Sequence, residues 1–152
     1  MIRTILIDDE PLARSITREY LQSYQNIEVV QECNDGFEGV KAITQHKPDL
    51  IFLDIQMPKI NGFEMLELIE QPPAVIFTTA FDEYAMKAFE THAVDYLLKP
   101  FSKDRFDKAL QKWMQQRQQS VAPTARMVQE EIRQPEERNR VVVREAGNIR
   151  II

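Results

Sequence analysis

Four short apolar runs in this 152-residue chain each end in a polar side chain capable of chemistry. Asp8 and Asp9 close Ile5-Leu6-Ile7, and Asp54 closes Leu50-Ile51-Phe52-Leu53. Thr79 closes Val75-Ile76-Phe77-Thr78, and Lys99-Pro100 closes Tyr96-Leu97-Leu98. Gathered in one place, three carboxylates, a hydroxyl and an ammonium suit a divalent cation and a phosphoryl group. Carboxylates are hard oxygen donors, and Mg2+ is typically held by one or two of them together with water and phosphate. A carboxylate is also a nucleophile toward phosphorus, giving an acyl phosphate. Lysine meets a phosphoryl oxygen as a point charge, and threonine can donate its hydroxyl to another. Two carboxylates about 4 Å apart repel by roughly 4 kcal/mol at an effective dielectric of about 20, so a cation or Lys99 must offset them.

Elements that could bring these residues together are written in the periodicity. Apolar, β-branched runs at 2–8, 27–33, 49–54, 74–79 and 95–98 alternate with segments of helical spacing, which predicts βα units and a parallel sheet. The third and fourth runs are apolar throughout, as in strands buried on both faces. Helices are expected at 11–24 (Leu12, Ile16, Tyr20, Tyr24 with Ala13, Thr17, Leu21), 36–46 (Phe37, Val40, Ile43) and 61–70 (Phe63, Leu66, Ile69). Two more are expected at 83–91 (Tyr84, Ala85, Ala88, Phe89) and 102–118 (Phe106, Ala109, Leu110, Trp113, Met114). Pro11 suits a first helical turn and Ser102 an N-cap. The fold class is therefore α/β, a doubly wound five-stranded parallel sheet. In such sheets the carboxyl ends of the strands form the ligand crevice, where Asp8, Asp9, Asp54, Thr79 and Lys99 would converge.

Composition narrows the function. Residues 1–118 carry 13 basic against 19 acidic side chains and residues 119–152 carry 6 against 5, so the first domain is acidic and a poor partner for nucleic acid. The single cysteine, Cys33, excludes an internal disulfide and fits a cytoplasmic location. No apolar stretch approaches the length of a membrane span, and the N-terminus lacks the layout of a signal peptide. Residues 119–139 are polar, with Pro123 and Pro135, and read as a linker. Residues 140–152 read as a β-hairpin turning at Ala146-Gly147-Asn148.

Asp8-Asp9, then Asp54-x-x-Met57-Pro58 with Gly62, then Thr79-Ala80, then Lys99-Pro100 resembles the receiver domain of bacterial two-component response regulators, a flavodoxin-like fold, over residues 1–118. The resemblance implies that Asp54 accepts phosphate from a sensor histidine kinase, and that Asp9 and Asp54 bind Mg2+, with Asp8 acting through water and the backbone carbonyl of Gln56 completing the shell. It further implies that Thr79 and Tyr96 form a switch pair, that Lys99 contacts the phosphate, and that the Lys99–Pro100 bond is cis. The runs Phe77–Ala85, Lys87–Glu90 and Ala93–Phe101 are similar to the LytTR-type regulators, whose C-terminal DNA-binding domain is β-rich. On that resemblance residues 140–152 open a truncated DNA-binding domain. The face holding Lys87, Glu90, Asp95, Lys103, Asp104 and Lys108 would pair two copies, and DNA would be bound only through the missing domain. Such a protein is not an enzyme beyond self-phosphotransfer and slow self-dephosphorylation at Asp54.

Two other functions compete. A Mg2+-dependent phosphohydrolase with an aspartyl nucleophile would want Asp-x-Asp after the first strand, where this chain has Asp8-Asp9-Glu10-Pro11. Direct DNA binding by this chain is opposed by the acidic first domain. His46 and His92 lack ligand-spaced partners, and Cys33 reads as a small buried hydrophobe.

Overall fold

A computed structural model describes residues 1–120. The expected hairpin at 140–152 and the linker at 119–139, apart from its first two residues, lie outside them. The chain divides into two compact units, Met1–Leu110 and Gln111–Ile152. Of the second, the end of one helix is described, where the Arg117 guanidinium lies over the Trp113 ring at 5.4 Å.

Five strands, β1 (Ile2–Ile7), β2 (Ile27–Cys33), β3 (Leu50–Leu53), β4 (Ala74–Thr79) and β5 (Asp95–Leu98), form one sheet in the order β2-β1-β3-β4-β5. Every pairing is parallel. Register matches Ile7 with both Cys33 and Leu53, and Leu53 with Phe77, so the strand ends that precede the polar residues lie side by side. All four residues of β3 are buried, and the Thr4 hydroxyl donates to the Leu50 carbonyl at 2.7 Å, which satisfies a polar group inside the core.

Five helices follow: α1 (Pro11–Leu21), α2 (Gly36–His46), α3 (Gly62–Glu67), α4 (Ala85–Glu90) and α5 (Lys103–Ser120). Their starts are encoded locally. Pro11 takes the first turn of α1, where its missing N–H costs nothing. Asp35 caps α2, accepting from the Glu38 N–H at 2.9 Å, and Asn61 with Glu64 forms a reciprocal capping box on α3. The Ser102 hydroxyl accepts from the Arg105 N–H at 3.1 Å. Helix α2 stops at Lys47, which is left-handed at φ 49° and precedes Pro48.

One face of the sheet buries Ile5, Ile7, Ile51, Leu53, Val75 and Phe77 with Ala42, Ile43, Phe63, Met65 and Ala88 from α2, α3 and α4. On the other, Phe106 stacks on Phe52 with ring centroids 5.3 Å apart, and Tyr20 of α1 packs against Phe106 at 5.4 Å. Cys33 is fully buried, and burial pushes its thiol up to about 12, so it serves as packing.

Five expected core positions differ. Leu12, Ile16, Phe37, Ala85 and Phe89 are exposed, as is Met86. On α4 only Ala88 is buried, while Phe89 is 82% and Met86 75% exposed. The expected helix at 83–91 begins as a 3-10 turn at Asp82–Tyr84, so the apolar stripe is rotated off the sheet before α4 starts. Among the described residues no helix is long and apolar enough to cross a membrane.

Candidate functional site

The carboxyl ends of β1, β3, β4 and β5 place the polar residues in a single crevice. Asp54 is fixed by its own N–H, which donates to the Ile7 carbonyl at 3.0 Å. The Gly62 N–H holds the following loop through the Ile55 carbonyl at 2.8 Å. The Asp54 carboxylate accepts from the Ile55 N–H at 2.7 Å. Asp8 is held by a backbone bond to Cys33 and accepts the Glu10 N–H on its carboxylate at 2.9 Å. Oxygens of Asp8, Asp9 and Asp54 lie within 4.8 Å of one another, with Asp8 and Asp54 buried and Asp9 half-buried. Such a set of hard oxygens fits a magnesium ion.

Lys99 enters from β5, its N–H tied to the Thr79 carbonyl at 2.7 Å and its peptide bond to Pro100 cis. Its ammonium donates to Asp8 at 2.8 Å and to Asp54 at 3.3 Å. Burial alone would depress the lysine pKa, but the hydrogen bond to Asp8 and the charges of Asp54 and Asp8 outweigh it and raise the value. Burial, and next the charge of Asp8, push Asp54 up to about 6 against the pull of Lys99. The crevice thus holds excess negative charge that one ammonium only partly offsets.

Thr79 is buried beside this cluster, and its hydroxyl oxygen accepts the Phe81 N–H at a long 3.4 Å. Tyr96 leans on the core face of the sheet with its hydroxyl donating to the Phe81 carbonyl. Burial raises the Tyr96 pKa, against a hydrogen bond from the Tyr84 backbone. Gln56 follows Asp54 by two residues, and its side-chain amide donates to the Tyr84 hydroxyl at 2.6 Å.

Three residues of the site are not evident from strand-end spacing. Glu10 accepts from Lys99 at 3.3 Å. Arg14, on α1, donates to the Asp8 carbonyl at 2.6 Å and to Glu32 at 3.1 Å, bracing the acidic loop against β2. Tyr84 reaches Gln56 across 28 residues of chain. Beside Lys99, a cavity of about 530 Å³ opens between α1 and the segment after β5, lined by Leu12, Ile16, Tyr20, Pro100 and Phe101 among others. Exposed Leu12 and Ile16 thus line a groove.

A five-stranded parallel sheet with this acidic crevice defines the class. The response regulator receiver domain family matches residues 4–111, and the chain belongs to it. It is 50% identical over 119 residues to the transcriptional regulatory protein BtsR of Escherichia coli K12, an alignment covering 77% of this chain and 50% of that one. It is 46% identical over 122 residues to an uncharacterized response regulatory protein of Vibrio cholerae, covering 79% and 52%. The chain spans about half the length of the curated relatives it matches. Among solved structures it resembles the response regulatory domain of mrkE from Klebsiella pneumoniae, with a TM-score of 0.71, 32% identity, and 78% and 99% coverage. It also resembles the response regulator TrrA from Thermotoga maritima in complex with Mg2+-BeF, with a TM-score of 0.65, 30% identity, and 74% and 98% coverage.

Proposed function

We propose that Asp54 is the phosphoacceptor of a two-component response regulator whose partner is a sensor histidine kinase. The observation that carries this is the convergence of Asp8, Asp9 and Lys99 on the Asp54 carboxylate. A carboxylate oxygen of Asp54 attacks the phosphorus of a phosphohistidine, the P–N bond breaks, and its electron pair returns to the imidazole of the donor. Asp8, Asp9 and Asp54 with the Gln56 carbonyl would hold Mg2+, which when bound neutralises the oxygens of the transferred group. Lys99 turns from the carboxylates to a phosphoryl oxygen. The groove along Leu12 and Ile16 opens beside Lys99 and offers the donor protein an apolar seat next to the reacting group.

Phosphorylation adds about two negative charges at Asp54. The Thr79 hydroxyl gives up its long bond from Phe81 to donate to the new oxygens, and Tyr96 leaves the Phe81 carbonyl and turns inward. That change favours pairing of two copies through the face of α4, β5 and the first turns of α5, where Met86, Phe89 and Leu98 stand exposed. Pairing would bring together two LytTR-type DNA-binding domains, beginning at residues 140–152, and so control transcription in the cytoplasm. Acetyl phosphate with Mg2+ should label the wild type once and leave Asp54→Asn unlabelled. Label in the variant, or rapid multiple turnover on phosphate esters, would overturn the assignment. Sedimentation with and without beryllofluoride and Mg2+ tests the pairing, and an unchanged mass would refute it.

A further inference from the structure

The contact between Gln56 and Tyr84 has no part in phosphoryl transfer, yet it ties the loop after Asp54 to the 3-10 turn that leads into α4. Gln56 stands two residues after Asp54 on a loop pinned by the Gly62–Ile55 backbone bond, and its side chain is exposed, so no core packing holds it in one rotamer. In the structure that amide is engaged elsewhere, donating to the Tyr84 hydroxyl at 2.6 Å. The Tyr84 ring is itself located by packing, edge-on to Phe63 at 6.0 Å and to Phe81 at 6.3 Å, and it touches the core. The hydroxyl is therefore a fixed point and the glutamine the movable partner.

A carboxamide carries an acceptor oxygen and two N–H donors. Beside an aspartyl phosphate, the oxygen can accept from a water while an N–H donates to a phosphoryl oxygen, which is the arrangement that in-line hydrolysis requires. Hydrolysis forms a bond between the water oxygen and phosphorus and breaks the bond between phosphorus and the Asp54 oxygen. The carboxylate leaves with the electron pair, and both water protons end on the released dihydrogen phosphate.

Resting on the reading of Asp54 as phosphoacceptor, we propose that Tyr84 is a positioning residue that withholds the Gln56 carboxamide from the phosphoryl group and thereby lengthens its life. Tyr84 also sits in the 3-10 turn leading into α4, so displacement of that turn would release the amide and start the clock on the signal.

The test uses the whole chain labelled with acetyl phosphate and Mg2+, freed of donor by rapid desalting, and followed by intact mass. Tyr84→Phe keeps the ring and its packing and removes the acceptor. Its label should decay about three- to tenfold faster than wild type, the span set by the net worth of one hydrogen bond. In a Gln56→Ala background the same substitution should leave the decay unchanged. Equal or slower decay in Tyr84→Phe, or acceleration that persists without Gln56, overturns the inference while leaving Asp54 in place. A wild type that takes no label overturns the phosphoacceptor reading and this inference with it. Independently, the side-chain amide signals of Gln56 in unphosphorylated protein should shift in Tyr84→Phe, and unmoved signals would count against the contact.

Discussion

Asp54→Asn should stabilise the metal-free protein, although it removes the proposed phosphoacceptor. Asp54 is buried, and burial together with the charge of Asp8 lifts its pKa from the ordinary 3.8 to about 6. The folded state therefore binds more protons than the unfolded state between these values, and stability falls as pH rises through that window and levels off above it. Two pKa units correspond to about 3 kcal/mol. Asparagine carries no charge yet keeps an oxygen able to accept the Ile55 N–H, now 2.7 Å from Asp54. In urea denaturation with a chelator present, the variant should gain up to about 3 kcal/mol at pH 7.5, about half that at pH 5, and only about 0.5 kcal/mol at pH 4. Excess Mg2+ should narrow the gap by stabilising the wild type alone, since a ligand of the native state adds stability by mass action. A variant no more stable than wild type at pH 7.5, or a gain independent of pH, would refute the claim that the crevice is electrostatically strained.

Two further outcomes follow from the same geometry. Lys99→Met removes the ammonium that sits 2.8 Å from Asp8, so Mg2+ measured by isothermal titration should bind about tenfold tighter or more, because no resident cation repels it. Weaker binding would show that Lys99 does not compete for the carboxylates. Gly62→Ala would place a Cβ 2.6 Å from the Asp54 carbonyl oxygen and 3.2 Å from the Ile55 Cα, both backbone atoms unable to swing aside. The overpacking should cost about 1–3 kcal/mol, and an unmoved urea midpoint would contradict it.

Most of the fold was legible because strand and helix are set by local patterns in this chain. The runs ending at Ile7, Leu53 and Thr79 are continuous, apolar and β-branched, and the strands end within one residue of the expected places. Caps at Asp35, Asn61 and Ser102 fix helix starts by chemistry within four residues. The clustering of Asp8, Asp9, Asp54 and Lys99 was legible for a topological reason, since parallel strands must present their carboxyl ends on one side. What escaped depends on the angle at which a helix meets the sheet. Leu12 and Ile16 have the spacing of core residues, yet the stripe of α1 is wide enough that one flank lines a groove. Phe89 has the same spacing, but the 3-10 turn at Asp82–Tyr84 changes the period from 3.6 to 3 and carries it outward. Gln56 with Tyr84 is a contact across 28 residues of chain, and Arg14 turns back to the Asp8 carbonyl from the next element; no spacing rule foresees either.

Helix α4 buries a single side chain, the methyl group of Ala88, with the Lys87 ammonium lying over the Phe63 ring at 4.9 Å beside it. Sinking one methyl away from water is worth only about 0.8 kcal/mol, comparable to a single hydrogen bond gained or lost. Its neighbours are anchored by whole aromatic rings, Phe63 on α3 and Phe106 on α5. Any rearrangement at the crevice will therefore be relieved along the path of least resistance. A rearrangement of a few kcal/mol at the crevice would outweigh what moors α4, so this helix is expected to yield before the interior does.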